Sequence, residues 1–146
     1  MMNKKNSSGA GMFMLEMIAA VFFFILCAAI CIRVFVKADS MSRLAKDTNN
    51  GVLAAESVAE VWKVKGPEGL SGRFHAQAGD GQVLLCWDRE WNAVADAADA
   101  AYQGELSWSG EAGLETARIV IRRADGKGTG TELFDMTAAR YVPDRG

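Results

Sequence analysis

Two hydrophobic patterns divide the chain. From Met17 to Ile32, sixteen consecutive positions carry neither a charge nor a glycine. With Met12–Leu15 before and Val34–Val36 after, the apolar run reaches 25 residues, interrupted only by Glu16 and Arg33. A helix of that length spans about 37 Å, enough to cross a hydrocarbon core about 30 Å thick. Past Lys37 the pattern becomes one-sided. Apolar or small residues recur at Met41, Leu44, Ala45, Thr48, Val52, Ala55, Val58, Ala59 and Trp62, while Asp39, Arg43, Lys46, Asp47, Glu56, Glu60 and Lys63 fall mostly off that stripe. The spacing is helical. Gly66-Pro67 supplies a stop, with Gly for a left-handed cap and Pro beyond it. One helix is therefore predicted from Met12 to Lys65, membrane-compatible over 12–36 and amphipathic over 37–65. Asn49-Asn50-Gly51 is its weak point, because Gly costs about 1 kcal/mol of helix propensity and invites a kink.

From residue 66 the period falls to two. Arg73–Ala78 and Gln82–Trp87 flank Gly79-Asp80-Gly81 and predict a hairpin. Tyr102, Leu106 and Trp108 alternate with Gln103, Glu105, Ser107 and Ser109. Ile119 and Ile121 alternate with Arg118, Val120 and Arg122. Asp125-Gly126-Lys127-Gly128-Thr129-Gly130 reads as a turn, and Glu132–Thr137 leads into a last strand. The Ala/Asp-rich stretch within Asp88–Ala101 predicts a loop with a helical turn. A sheet with one apolar face needs a cover, and the amphipathic helix just before it is the nearest one. The fold class expected is α+β, one long N-terminal helix packed on a small antiparallel sheet over 66–146.

Charge is divided along the same line. Residues 1–65 carry eight Lys/Arg against five Asp/Glu, and residues 66–146 carry eight against thirteen, a net −5 for the second part. An acidic domain lacks the basic footprint of a nucleic-acid binder, and Arg122–Arg123 at a strand end read as solvated; no nucleic-acid contact is expected. Of the three cysteines, Cys27 and Cys31 share one face of the apolar helix and read as small packing residues. Only Cys86 lies in the sheet part, so that part cannot close a disulfide of its own and must rely on its core.

No enzymatic constellation emerges, and neither a cofactor nor a metal is expected. The single histidine, His75, falls on a predicted strand. The segment Gly126–Gly130 lacks the Lys-Ser/Thr of a phosphate loop. As a calcium loop it has Lys127 at an acidic ligand position and Met136 where a bidentate Glu belongs. The indoles of Trp62, Trp87, Trp91 and Trp108 read as core rather than as a ligand platform.

Three readings compete for the first forty residues. A secretory signal has a shorter apolar run and an Ala-x-Ala site after it, whereas Val36-Lys37-Ala38-Asp39 follows here. A lipoprotein needs a small residue before the modified cysteine, and Cys27 and Cys31 are preceded by Leu26 and Ile30. An uncleaved anchor, held by Lys4 and Lys5 on the inside, stays open. It would make the chain a single-pass anchored binding module outside the membrane.

More residues are explained by a resemblance. The polar segment 1–11 ends in Gly11, the apolar run starts at once with Met12-Phe13-Met14-Leu15-Glu16-Met17, and Glu16 is fifth in it. This arrangement resembles the cleavage region of type IV prepilins and type II secretion pseudopilins. The resemblance implies a cytoplasmic leader over 1–11, cut between Gly11 and Met12 by a prepilin peptidase, with N-methylation of Met12. It also implies that Glu16 pairs with the Met12 amine of a neighbouring subunit. The implied function is a structural subunit of a type IV pilus, type II secretion or DNA-uptake machine. Its partners would be other pilin or pseudopilin subunits, the peptidase, an inner-membrane assembly platform and membrane lipid. The implied location is the cell membrane, single-pass, with a cytoplasmic amino terminus and an extracytoplasmic domain, or a surface filament after assembly. There are two departures, and the second points to a minor pilin or pseudopilin. Met12 stands where the family most often has Phe, and no Gly or Pro occurs between Met12 and Asn50.

Overall fold

The computed structural model describes residues 4–125 and 130–143, with side chains in the first helix from Gly9 onward. The order is one helix, α1 (Lys4–Phe74), then five strands: β1 (Gln77–Gly79), β2 (Gln82–Trp87), β3 (Tyr102–Glu111), β4 (Leu114–Arg123) and β5 (Glu132–Tyr141), with a 3-10 turn at Ala97–Asp99. The chain separates into two units, Met1–Leu44 and Ala45–Gly146.

In the first unit the apolar side chains of residues 12–36 face outward. Phe24 and Phe35 are 82% and 78% exposed, and no charged residue but Glu16 and Arg33 breaks this surface. The segment is long and apolar enough to cross a membrane. It is a candidate single-pass span. Met41 and Leu44, which the stripe assigns to a core, are exposed. The buried part of the stripe starts later, because Thr48 and Val52 are only half-buried while Gly51, Ala55, Val58, Ala59 and Trp62 are buried.

The second unit is a helix-covered sheet. All five strands run antiparallel in sequence order, each paired with its chain neighbour. The alternation places Val83 and Leu85 of β2, Tyr102 and Leu106 of β3, Ala117, Ile119 and Ile121 of β4, and Ala138 of β5 in one core with Ala55, Val58, Ala59, Trp62, Leu70 and Phe74 of α1. The layout is α+β and pilin-like, as the sequence leads one to expect. Gly51 is not a kink. It keeps helical geometry and is buried, with Ile121 Cγ2 and Leu133 Cβ lying 3.6 and 3.7 Å from where a Cβ would stand. A small residue there lets the helix lie close to β4 and β5. Gly104 has the same use inside the sheet, since the Trp87 ring lies 2.7 Å from the position of a Cβ.

The helix end differs from expectation in an instructive way. Gly66 (φ 70°, ψ −165°) is non-helical, yet helix resumes at Pro67 and continues to Phe74. Proline stops a helix that precedes it but suits the first turn of the next one, where its missing N–H has no partner to lose. Leu70 and Phe74 therefore join the core from helix, and the predicted strand Arg73–Ala78 shrinks to Gln77–Gly79. His75 sits between the two elements at φ 53°, exposed, instead of on a strand. The Asp80-Gly81 turn closes β1 onto β2 as expected. The turn at 126–129 lies outside the described residues.

Truncation to residues 37–146 is expected to leave a soluble folded unit. In it, Trp62→Ala should lower stability by about 3–5 kcal/mol, read as a fall in Tm, because the ring is fully buried. An unchanged Tm would mean that the helix does not cover the sheet.

Candidate functional site

Gly11, Met12 and Glu16 all lie on α1 in the first unit, and all three are exposed. Gly9, Met12, Phe13, Glu16 and Ala19 line one side of the helix, at the three- and four-residue spacings that bring side chains together. The Gly11–Met12 bond is thus followed one turn later, on the same side, by the only carboxylate among residues 12–36. Neither Gly9 nor Gly11 is required by crowding, since nothing lies within 4 Å of a Cβ built at either. Chemically, this surface offers an apolar contact face with one carboxylate.

The second unit holds its charges in pairs. Asp47 is the first α1 residue fastened to the sheet. Tyr102 donates to its Oδ1 at 2.9 Å, and Arg123 binds Oδ2. Burial, reinforced by the bond to Asp47, raises the Tyr102 phenol above its ordinary pKa, so it stays a donor. Trp91 stacks on the same tyrosine with ring centroids 3.9 Å apart. At the other end of the covering helix, Arg140 lies 4.9 Å over the Trp62 ring and binds Glu115 at 2.6 Å. Its Nη1 also donates to the Trp62 carbonyl at 3.1 Å. Pro67 has no N–H to give to that carbonyl in the usual helix-ending motif, and Arg140 supplies the donor. Gly66 makes the approach possible: a Cβ there would stand 2.8 Å from Arg140 Nη1. The Trp62 Nε1–H is buried without an acceptor among the described residues, a local cost.

Sequence patterning misses both clusters. Asp47 counts there as a charge off the stripe, and Arg140, past Glu132–Thr137, is given no role. The four indoles belong to the packing: Trp62 and Trp87 are in the core, and Trp91 and Trp108 pack against it half-buried. Among the described residues no group of three or more His, Cys, Asp or Glu could hold a metal. The loop residues of the weak calcium pattern lie mostly outside the described ones.

The far face of the sheet is polar. Arg118–Asp135 and Arg122–Glu105 bridge diagonally across strands on either side of Val120, which pairs with both acidic residues. Hydrogen bonds from Arg118 hold the Asp135 carboxyl below its ordinary pKa. Cys86 is buried, and burial together with the Asp96 carboxylate pushes its thiol pKa up. Comparison with protein-family models, with curated proteins and with solved structures finds no match.

Two outcomes follow from these shifts. A carboxyl with a depressed folded pKa stabilises the fold above its unfolded pKa and loses that contribution as pH falls through the folded value. The Arg118–Asp135 contribution should therefore persist from neutrality down to about pH 4 and decline below it. Asp135→Asn should remove that part of the acid sensitivity in thermal melts at a series of pH values. An identical acid profile in the variant would show the pair to be energetically idle. Cys86 should resist alkylation in the folded unit and react once denatured, because the thiolate is the nucleophile. Rapid labelling of Cys86 in native 37–146, followed by mass spectrometry, would contradict its burial.

Proposed function

We propose that the chain is a structural assembly subunit, a minor pilin or pseudopilin of a type IV pilus, type II secretion or DNA-uptake machine, and not an enzyme. The observation that carries this reading is the arrangement around Gly11: a polar leader ends in glycine, an exposed apolar helix follows without a spacer, and Glu16 stands fifth within it. A carboxylate in a membrane helix costs about 2.5–3.5 kcal/mol at the centre and less near an end, so its presence calls for a partner. Leader removal by a prepilin peptidase creates one, the amine of Met12 on a neighbouring chain. Cutting then switches assembly on. The apolar helix remains on the mature protein and carries it from lipid into a stack of like helices. The sheet unit is the part displayed outside the membrane.

Mass spectrometry of the assembled protein should find a start at Met12, N-methylated; Met1 or Met2 intact in assembled material would sink the reading. Glu16→Gln should be exported and cut normally, and its sheet unit should fold, yet it should fail to join the filament. Glu16→Asp should keep part of the function. Normal incorporation of Glu16→Gln, scored by pull-down beside an immunoblot for leader removal, would make Glu16 a tolerated carboxylate at the membrane surface.

A further inference from the structure

Three charged side chains of the first unit have no ion-pair partner among the described residues: Glu16, Arg33 and Lys37. Asp39 and Arg43, next along the helix, satisfy each other at 3.1 Å. Glu16 and Arg33 share a further property. Each is exposed and set between apolar residues, Leu15 and Met17 for one, Ile32 and Val34 for the other. Lys37 stands at the end of the run instead, with Ala38 and Asp39 after it.

The helix is unbroken between the two residues. They are seventeen positions apart (33 − 16), which corresponds to about 25 Å along the axis and about 100° around it. They cannot meet within one chain. Two parallel copies placed level, as both would be in one bilayer, set Glu16 against Glu16 and Arg33 against Arg33. Sliding one copy by about 25 Å along the axis brings its Arg33 level with Glu16 of the next. Because the two residues lie on different faces, the contact is head-to-tail and repeats, giving an open stack and not a closed dimer. At that shift Lys37 comes level with Ala20, whose small side chain leaves room for the lysine stem to lie along the partner.

We propose that a second copy of this chain docks on α1 with an axial stagger of about 25 Å, set by an ion pair between Glu16 of one copy and Arg33 of the next. The inference rests on the subunit reading and names the register of its helix contact. The Glu16 carboxylate has two oxygens, so it accepts from the guanidinium of the staggered copy while the amine of Met12 reaches it from a different neighbouring copy. With Glu16 and Arg33 about 100° apart around the helix, a level contact pairs neither with an opposite charge, whereas the staggered one does. The same two residues thus register the copies once one has moved.

The test uses full-length chains carrying two different tags, expressed together. Arg33→Glu alone and Glu16→Lys alone should each reduce self pull-down by about tenfold or more, since each sets like charges against one another. Co-expression of the two variants should restore pull-down, because the carboxylate introduced at position 33 of one copy then meets the ammonium introduced at position 16 of the other. No recovery in the mixture, or native self-association of Arg33→Glu, would overturn the stagger. Register is read separately with both charges intact. In a Cys27→Ala, Cys31→Ala background, Phe23→Cys on one copy should cross-link to Ser40→Cys on the other, two turns beyond the pair. Predominant 23–23 or 40–40 products would overturn it equally. The amino terminus is sequenced in the same samples. A start at Met1 defeats the subunit reading whatever the pull-down shows, whereas a start at Met12 with level cross-links defeats the stagger alone.

Discussion

An antiparallel meander leaves one face of Val83, Leu85, Leu106, Ile119 and Ile121 open to water unless another element covers it, and in the second unit residues 45–74 of α1 are that cover. The covering face begins with small residues, Gly51, Ala55 and Ala59, which let the helix approach the strands closely, and continues with the larger Val58, Trp62, Leu70 and Phe74. With apolar burial contributing about 25 cal/mol per Å² removed from water, the indole is the largest single share a side chain of the helix can give. Arg140 then has to satisfy what the helix end leaves open, stacking on that indole and bonding its carbonyl. The turn at Gly66 has to remain free of a side chain for it to do so. Asp47 performs the matching task at the other end, tied to Tyr102 and Arg123.

Much of this is legible in the chain, and the limits are physical ones. The strands β3 and β4 show in period-two alternation because one of their faces is buried and the other is wet. The helix shows for the same kind of reason, a one-sided stripe. Its end is misplaced by sequence because a Gly-Pro pair carries two opposite meanings, stop and start, and only packing of Leu70 and Phe74 decides between them. Met41 and Leu44 continue the stripe in sequence although they stay exposed, since periodicity records amphipathicity and not what lies opposite. The clamps are illegible for a different reason. Asp47 is 55 residues from Tyr102 and 76 from Arg123, and no local pattern ties such positions together.

The candidate site shows the reverse balance. Its residues come entirely from order along the chain: a glycine, an apolar run without a spacer, a carboxylate at the fifth place. Three-dimensional structure adds that Met12 and Glu16 share a side of one helix and that this side is open. Within α1 one backbone geometry thus carries two surface patterns. Residues 12–36 are apolar around the helix but for Glu16 and Arg33, as a candidate membrane span is, while residues 45–62 are apolar on one side only. No Gly or Pro interrupts the first part between Met12 and Asn50, and its backbone is helical throughout.

The meander connectivity has a consequence for how the second unit forms. Each strand pairs with its neighbour in sequence, so β2 through β5 can zip hairpin by hairpin with little loop-closure entropy. The bonds from Asp47 to Tyr102 and Arg123 close far longer loops, and they are made only after β3 and β4 exist. This connectivity favours forming the local hairpins before the long-range contacts with the helix. The longest loops are thus closed at the two ends of the covering helix, where Asp47 and Arg140 tie it to the sheet.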